Sequence, residues 1–265
     1  MKKILIGIIT YDGKDYVFDR FKENLDSILS YTHEKLSGNI ITKAVVVDNS
    51  LNEEYFKYLK DNFDGEVIHE MYIEETNANL ANSRNRLRKE FLKTDYDYFF
   101  SLESDVLPPQ NILVELLEHD VPVVSGYYYV CQGGHFKRPC IVLPFKKLEG
   151  AFTMEEALEK QKEVRKNSPE NLVELALTKE RLIKVLQGSL GCCLIKRKVL
   201  EKISFFCLKN KNNAIVHDDT FFFIDCEMKN IPVYVDSLML CPHFQSNWWR
   251  EFIEKRNVEL SGDSE

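Results

Sequence analysis

Phe99-Phe100-Ser101-Leu102-Glu103-Ser104-Asp105-Val106-Leu107-Pro108-Pro109 is the stretch on which the fold turns. The aromatic and aliphatic run from Tyr98 to Leu102 has the composition of a buried strand, and the two prolines stop it. At its end the strand delivers two carboxylates, Glu103 and Asp105, separated by Ser104. Hard oxygen ligands so arranged suit Mg²⁺ or Mn²⁺, ions that keep waters and bridge substrate phosphates. The plain alternative is an acidic solvated turn.

Working toward the N-terminus, helical and strand patterns alternate. Ala78 to Leu92 reads as a helix and Glu66 to Ile73 as a strand. Glu53 to Phe63 reads as a helix with Phe56 and Leu59 inward, and Ala44 to Val47 as a strand ending at Asp48-Asn49-Ser50. Asp15 to Tyr31 carries Phe18, Phe21, Leu25 and Ile28 at helical spacing. Ile4 to Ile9 is almost wholly aliphatic, as expected of a strand covered on both faces.

Toward the C-terminus, Val121 to Val130 adds a strand. Lys146 to Lys184 is rich in Glu and Lys and opens a helix with a capping box, Thr153-Met154-Glu155-Glu156. It reads as a helical excursion, because about 40 residues barely make a core. Gly188 to Ile195 returns to strand composition, His217 to Asn230 is a helix stopped by Ile231-Pro232, and Val233 to Leu240 is a late strand. Short-linked alternation of this kind implies parallel pairing and an α/β sandwich. Ligands of such sheets gather at the carboxyl ends of the strands, which here carry Asp12, Asp48, Glu103 and Asp105.

Composition narrows the class. The chain has 265 residues, one large domain or two small ones at about 150 residues each. Hydrophobic residues at 44% and charged residues at 29% are globular proportions. A net charge of −7 argues against a nucleic-acid backbone as partner. Seven cysteines, an odd number with no CxxC pair, point to reduced thiols in a cytoplasmic setting, with adjacent Cys192 and Cys193 as small hydrophobes. The opening Met1-Lys2-Lys3 and its apolar run stop at Tyr11-Asp12-Gly13 without a small-residue cleavage site, so they read as a first strand and not a signal peptide. No run reaches the ~18 apolar residues of a membrane span.

Three further clusters carry polar groups. His217-Asp218-Asp219-Thr220 opens a helix, where one carboxylate can cap and both suit the positive dipole end; the same position can present a general base. In Asn79-Leu80-Ala81-Asn82-Ser83-Arg84-Asn85, Arg84 shares a helix face with Leu80, Leu87 and Phe91. It either snorkels past the core or points into a polar cleft. Cys241-Pro242-His243-Phe244 follows the late strand, and His243 is either a packed side chain or the completion of a metal site begun by Asp105.

Taken in order, these pieces resemble the GT-A-fold glycosyltransferases, most closely the family-2-like group. The first strand ends in Thr10-Tyr11-Asp12 and the second in Val47-Asp48-Asn49-Ser50. Ala81-Asn82-Ser83-Arg84-Asn85 matches an Ala-x-x-Arg-Asn helix, and Glu103-Ser104-Asp105 an Asp-x-Asp strand end. Gly191 with Arg197 matches a strand–helix motif, Asp218-Asp219 a Glu-Asp helix start, and His243 closes the late strand. The resemblance implies a Rossmann-like α/β/α sandwich with a central, mostly parallel sheet and a helical insertion. A single domain over residues 1–265 is expected, with a nucleotide-binding half at 1–130 and an acceptor-side half at 131–250. The excursion at 146–184 lies in that second half, and residues 258–265 form a frayed tail.

The resemblance also implies roles. Thr10, Tyr11 and Asp12 would line the nucleotide pocket, Asp48 would hold the base, and Arg84 and Ser104 would sit beside the nucleotide. Asp105 would bind Mn²⁺ or Mg²⁺, with Glu103 contacting the ion through water or holding the ribose, and His243 would be a further metal ligand. Asp219 would be the catalytic base, with Asp218 positioning donor or acceptor, giving transfer with inversion. Glu in place of the first Asp at 103, and Asp in place of Glu at 218, are departures from the pattern. The donor expected is a UDP-sugar or a GDP-sugar, and the acceptor a hydroxyl of a glycan, lipid-linked or protein substrate. Gln245 to Arg250 offers an aromatic platform, a packed helix or a contact at a membrane surface. A sugar-phosphate nucleotidyltransferase and a non-catalytic nucleotide- or glycan-binding module are the alternatives.

Overall fold

The computed structural model describes residues 1–132, 136–143, 153, 156, 159, 177, 179–208 and 217–244. Most of the 146–184 excursion, the Gln245–Arg250 segment and the 258–265 tail lie outside them. The capping box does form: Glu156 N–H donates to Thr153 Oγ1 at 3.2 Å and Thr153 N–H to Glu156 Oε2 at 3.1 Å.

The strands are β1 (Lys2–Thr10), β2 (Ile40–Asp48), β3 (Glu66–His69), β4 (Tyr98–Glu103), β5 (Val123–Tyr127), β6 (Tyr129–Gln132), β7 (Phe136–Pro139), β8 (Leu182–Val185), β9 (Cys192–Lys196) and β10 (Val233–Leu240). The helices are α1 (Asp15–Lys35), α2 (Glu53–Asn62), α3 (Thr76–Leu92), α4 (Ile112–Glu118), α5 (Arg197–Leu200) and α6 (Asp218–Met228). Eight strands form one sheet in the order β3-β2-β1-β4-β9-β5-β10-β8, and β6 with β7 form a separate hairpin. β3, β2, β1 and β4 run parallel, as do β5 and β10. β9 lies antiparallel between β4 and β5, and β8 antiparallel along β10.

Side-chain alternation along β1 builds the two faces. Ile4, Ile6 and Ile8 pack with Phe18, Phe21, Leu25 and Ile28 of α1 on one side. Leu5 and Ile9 pack with Leu87 and Phe91 of α3 on the other, where Phe222 and Phe223 of α6 also lie. Alternation puts position 7 on this second face, where a Cβ would stand 2.4 Å from the Phe99 ring and glycine leaves the room. Each fully buried phenylalanine contributes about 1.5–3 kcal/mol, and Phe18, Phe21, Phe91 and Phe99 are all completely buried.

Several sequence expectations shift. The third strand ends at His69 and not Ile73, and the expected 121–130 strand breaks into β5 and β6. α1 runs on to Lys35, β9 starts at Cys192 and not Gly188, and α4 was not anticipated. In α2 the inward residues are Tyr55 and Leu59, whereas Phe56 is half-buried with its ring against His69 at 5.2 Å. Cys192 and Cys193 are fully buried, as small hydrophobes should be. Among the described residues, no helix is long and apolar enough to cross a membrane.

Candidate active site

Parallel register sets the first row of the site. Thr10 lies opposite Asp48 in β2, Asp48 opposite His69 in β3, and Ile9 opposite Glu103 in β4. Four chemically equipped strand ends therefore share one rim of the sheet. Ser104 Oγ donates to Thr10 Oγ1 at 2.9 Å, and Thr10 Oγ1 is 3.3 Å from the Tyr55 hydroxyl. Burial pushes the Tyr55 phenol well up, the Thr10 contact offsetting only part of that.

Asp48 is completely buried and both its oxygens are engaged. Oδ1 accepts from Ser50 N–H at 3.1 Å and Ser50 Oγ at 2.6 Å, and Oδ2 lies 2.8 Å from His69 Nδ1. Ser50 Oγ in turn accepts from Asp12 N–H at 2.8 Å, and Asn52 Nδ2 donates to Asp12 Oδ2 at 3.2 Å. Tyr11 is exposed and lies over Gly13, whose Cβ would stand 2.3 Å from its ring. Of the three residues 10–12, only Thr10 is buried in the rim.

Arg84 takes the second of its two sequence readings: it points into a polar cleft. It is 3% exposed, and its Nη1 donates to Asp218 Oδ1 at 2.7 Å and Oδ2 at 2.6 Å. Its Nη2 donates to Glu103. Asn49 Nδ2, donating to Ser83 Oγ at 2.9 Å, pins α3 against the end of β2. Burial alone would lower the guanidinium's pKa; the Asp218 and Glu103 carboxylates outweigh it and carry it upward. Burial also pushes the Asp218 carboxyl up, with Arg84 pulling against it.

The second acidic position lies beside a late segment of chain. Val106 bridges His243 antiparallel, Leu107 N–H donates to Pro242 O at 2.9 Å, and Phe244 N–H to Asp105 O at 2.8 Å. His243 Nε2 is thereby set 3.3 Å from Asp105 Oδ2, its ring 4.6 Å from that of Tyr128. Ligand atoms of Glu103, Asp105 and His243 all lie within 4.8 Å of one another. Two carboxylates and an imidazole at that spacing fit Mn²⁺ or Mg²⁺. Lys14, which the motifs did not single out, puts its Nζ on the same Asp105 oxygen. Burial pushes the Asp105 carboxyl up, but His243 and Lys14 together bring it below its ordinary value.

Of the acidic pair opening α6, Asp218 is buried against Arg84 while Asp219 stays half-buried. Asp219 Oδ1 accepts from Thr220 N–H at 2.5 Å, and Oδ2 accepts from Gln187 Nε2 at 3.4 Å. Tyr128, whose ring packs against that of His243, is itself buried. Burial pushes its phenol well above the ordinary value, and the charges of both Glu103 and Asp219 add to that. Gly191 leaves room for it, since a Cβ there would stand 2.7 Å from the Tyr128 hydroxyl. Sequence gave no signal for Tyr128, one of three successive tyrosines, nor for Gln187.

This is the GT-A fold. The structure of GalNAc-T7 with UDP, GalNAc and Mn²⁺ superposes with a TM-score of 0.52 at 14% identity, covering 92% of this chain and 44% of that one. Glucosyl-3-phosphoglycerate synthase from Mycobacterium tuberculosis, with Mn²⁺ and UDP-glucose, gives 0.48 at 11% identity over 97% of this chain and 76% of its own. A197 from STIV gives 0.44 at 17% identity, covering 93% and 87%. The chain thus spans less than half the length of GalNAc-T7. No protein-family model and no curated protein matches the sequence.

Proposed function

We propose that this chain is a metal-dependent glycosyltransferase moving a sugar from a nucleotide-diphosphate sugar, with a UDP-sugar favoured, to an acceptor hydroxyl. The observation that carries the reading is the convergence of Glu103, Asp105 and His243, joined through Arg84 to the Asp218-Asp219 helix start. These side chains come from the end of β4 and the turn after it, the segment after β10, α3 and α6, so the fold and not local sequence assembles them.

Asp105, His243 and Glu103 would hold the cation, and Thr10, Ser104, Asp12 and Asp48 with its partner His69 would line the nucleoside side. A divalent cation there supplies charge neutralisation for the departing diphosphate. Asp219 accepts the proton of the acceptor hydroxyl as that oxygen bonds to the anomeric carbon. The bond from that carbon to the diphosphate oxygen breaks, and the electron pair leaves with the nucleotide. Attack opposite the leaving group inverts the anomeric configuration. Asp218, neutralised by Arg84, positions α6 and leaves Asp219 as the reachable carboxylate. General-base help of this kind is worth about 10²–10⁴-fold.

The test is a Mn²⁺ titration of the full chain with a panel of UDP- and GDP-sugars, following nucleotide release. Metal-dependent release of a nucleoside diphosphate supports the reading. Pyrophosphate release from a nucleoside triphosphate overturns it in favour of a nucleotidyltransferase, and binding without turnover in favour of a binding module.

A further inference from the structure

Asp105 Oδ2 has two nitrogen neighbours. It accepts a hydrogen bond from Lys14 Nζ and lies 3.3 Å from His243 Nε2. His243 and Glu103 can share a metal ion with Asp105. Lys14 cannot, because an ammonium has three donors and no lone pair. It sits on a ligand oxygen as a cation in its own right.

Two features make that seat exchangeable. Lys14 ends a short 3-10 turn, Asp12–Lys14, where its N–H donates to Tyr11 O at 2.8 Å, so its backbone is fixed by the end of β1. Its side chain is 23% exposed against 4% for Asp105, so the head enters from the solvent side on a flexible four-carbon stem. Arg84, by contrast, is sealed at 3% and held by two carboxylates.

We propose that Lys14 is the resident counter-cation of the site: it neutralises Asp105 in the free protein, yields that oxygen to an entering divalent cation, and then binds the diphosphate of the donor. The inference rests on the glycosyltransferase reading above. An ammonium and a divalent ion on one carboxylate oxygen repel each other at a few ångström in a partly buried site, so entry of one displaces the other. The displaced ammonium finds its next anion in the donor's phosphates. Cation and nucleotide therefore bind cooperatively, and by linkage each raises the other's affinity by the same factor.

The test is calorimetric titration of the full chain with MnCl₂ alone, with UDP alone, and with each in the presence of the other, for the wild type, Lys14→Met and Lys14→Arg. Lys14→Met is expected to bind Mn²⁺ alone about tenfold more tightly, because no competitor remains, and to bind UDP in saturating Mn²⁺ about tenfold more weakly. Lys14→Arg, which keeps the charge, stays within about threefold of wild type for Mn²⁺. A wild type that binds Mn²⁺ and UDP, with Lys14→Met matching it in both, overturns this proposal alone. A wild type that binds neither overturns the glycosyltransferase reading and the proposal with it.

Discussion

Arg84 and Asp218 stand 134 positions apart in the chain, yet one guanidinium nitrogen lies within 2.7 Å of both carboxylate oxygens. Both side chains are almost fully buried, and the other nitrogen of the fork is on Glu103. Removing Arg84 leaves two carboxylates facing each other without a counter-charge. Arg84→Met is expected to cost about 3–5 kcal/mol, as for other buried pairs broken on one side. Arg84→Met with Asp218→Asn should cost less than the sum of the two single changes. Urea unfolding of the four proteins measures this, and strict additivity would sever the link between α3 and α6.

Asp219→Asn tests the proposed base. The substitution keeps size and, on its remaining oxygen, the bond from Thr220 N–H, giving up only the long 3.4 Å contact from Gln187. Binding of Mn²⁺ and UDP should persist while turnover falls by about 10²–10⁴-fold. Turnover at the wild-type rate removes Asp219 from the mechanism.

Asp105→Asn addresses the cation. Asp105 is common to the His243 and Lys14 contacts and supplies one of three convergent ligand atoms. Manganese binding, read by electron paramagnetic resonance of the free ion, should be lost, and a chelator should abolish donor turnover in the wild type. Retained stoichiometric binding in the variant places the cation elsewhere.

Buried phenols set the alkaline limit. Burial raises Tyr55 and Tyr128 above the ordinary value of 10.0. Above about pH 10 the unfolded chain has released protons that the folded chain keeps, so stability falls as pH rises through that range. Below it these groups are protonated in both states and contribute no slope. Phenolate absorbance should report part of the tyrosines ionising only as the protein unfolds. Full ionisation in a folded chain would contradict this.

Much of the sheet was legible because its strands are apolar on both faces and its helices carry clear stripes, as Phe18, Phe21, Leu25 and Ile28 do in α1. The acidic strand ends were legible for the same reason: a charge that stops an apolar run stands out. What sequence hid was pairing. Gly188 to Ile195 read as a strand, but nothing local says that β9 inserts antiparallel between β4 and β5. Arg84 kept two readings until α6 supplied its partner, since periodicity fixes a helix face but not what lies opposite. Lys14, Tyr128 and Gln187 reach the site through contacts across 91, 63 and 32 positions, to Asp105, Gly191 and Asp219 respectively, and no spacing rule covers such distances. Periodicity alone points Phe56 inward, whereas the ring of His69 gives it a half-buried place beside the strand end.

The placement of β9 has a consequence for how this chain can be divided. Residues before 131 supply β4 and β5 but not the strand that joins them. A fragment ending there bares three strand edges, one of β4 and both of β5, which invite pairing with neighbouring molecules. The halves are interlaced like fingers, so the first cannot be borrowed as a cassette. Any fission, fusion or transplant of this sheet must carry Cys192–Lys196 along with it.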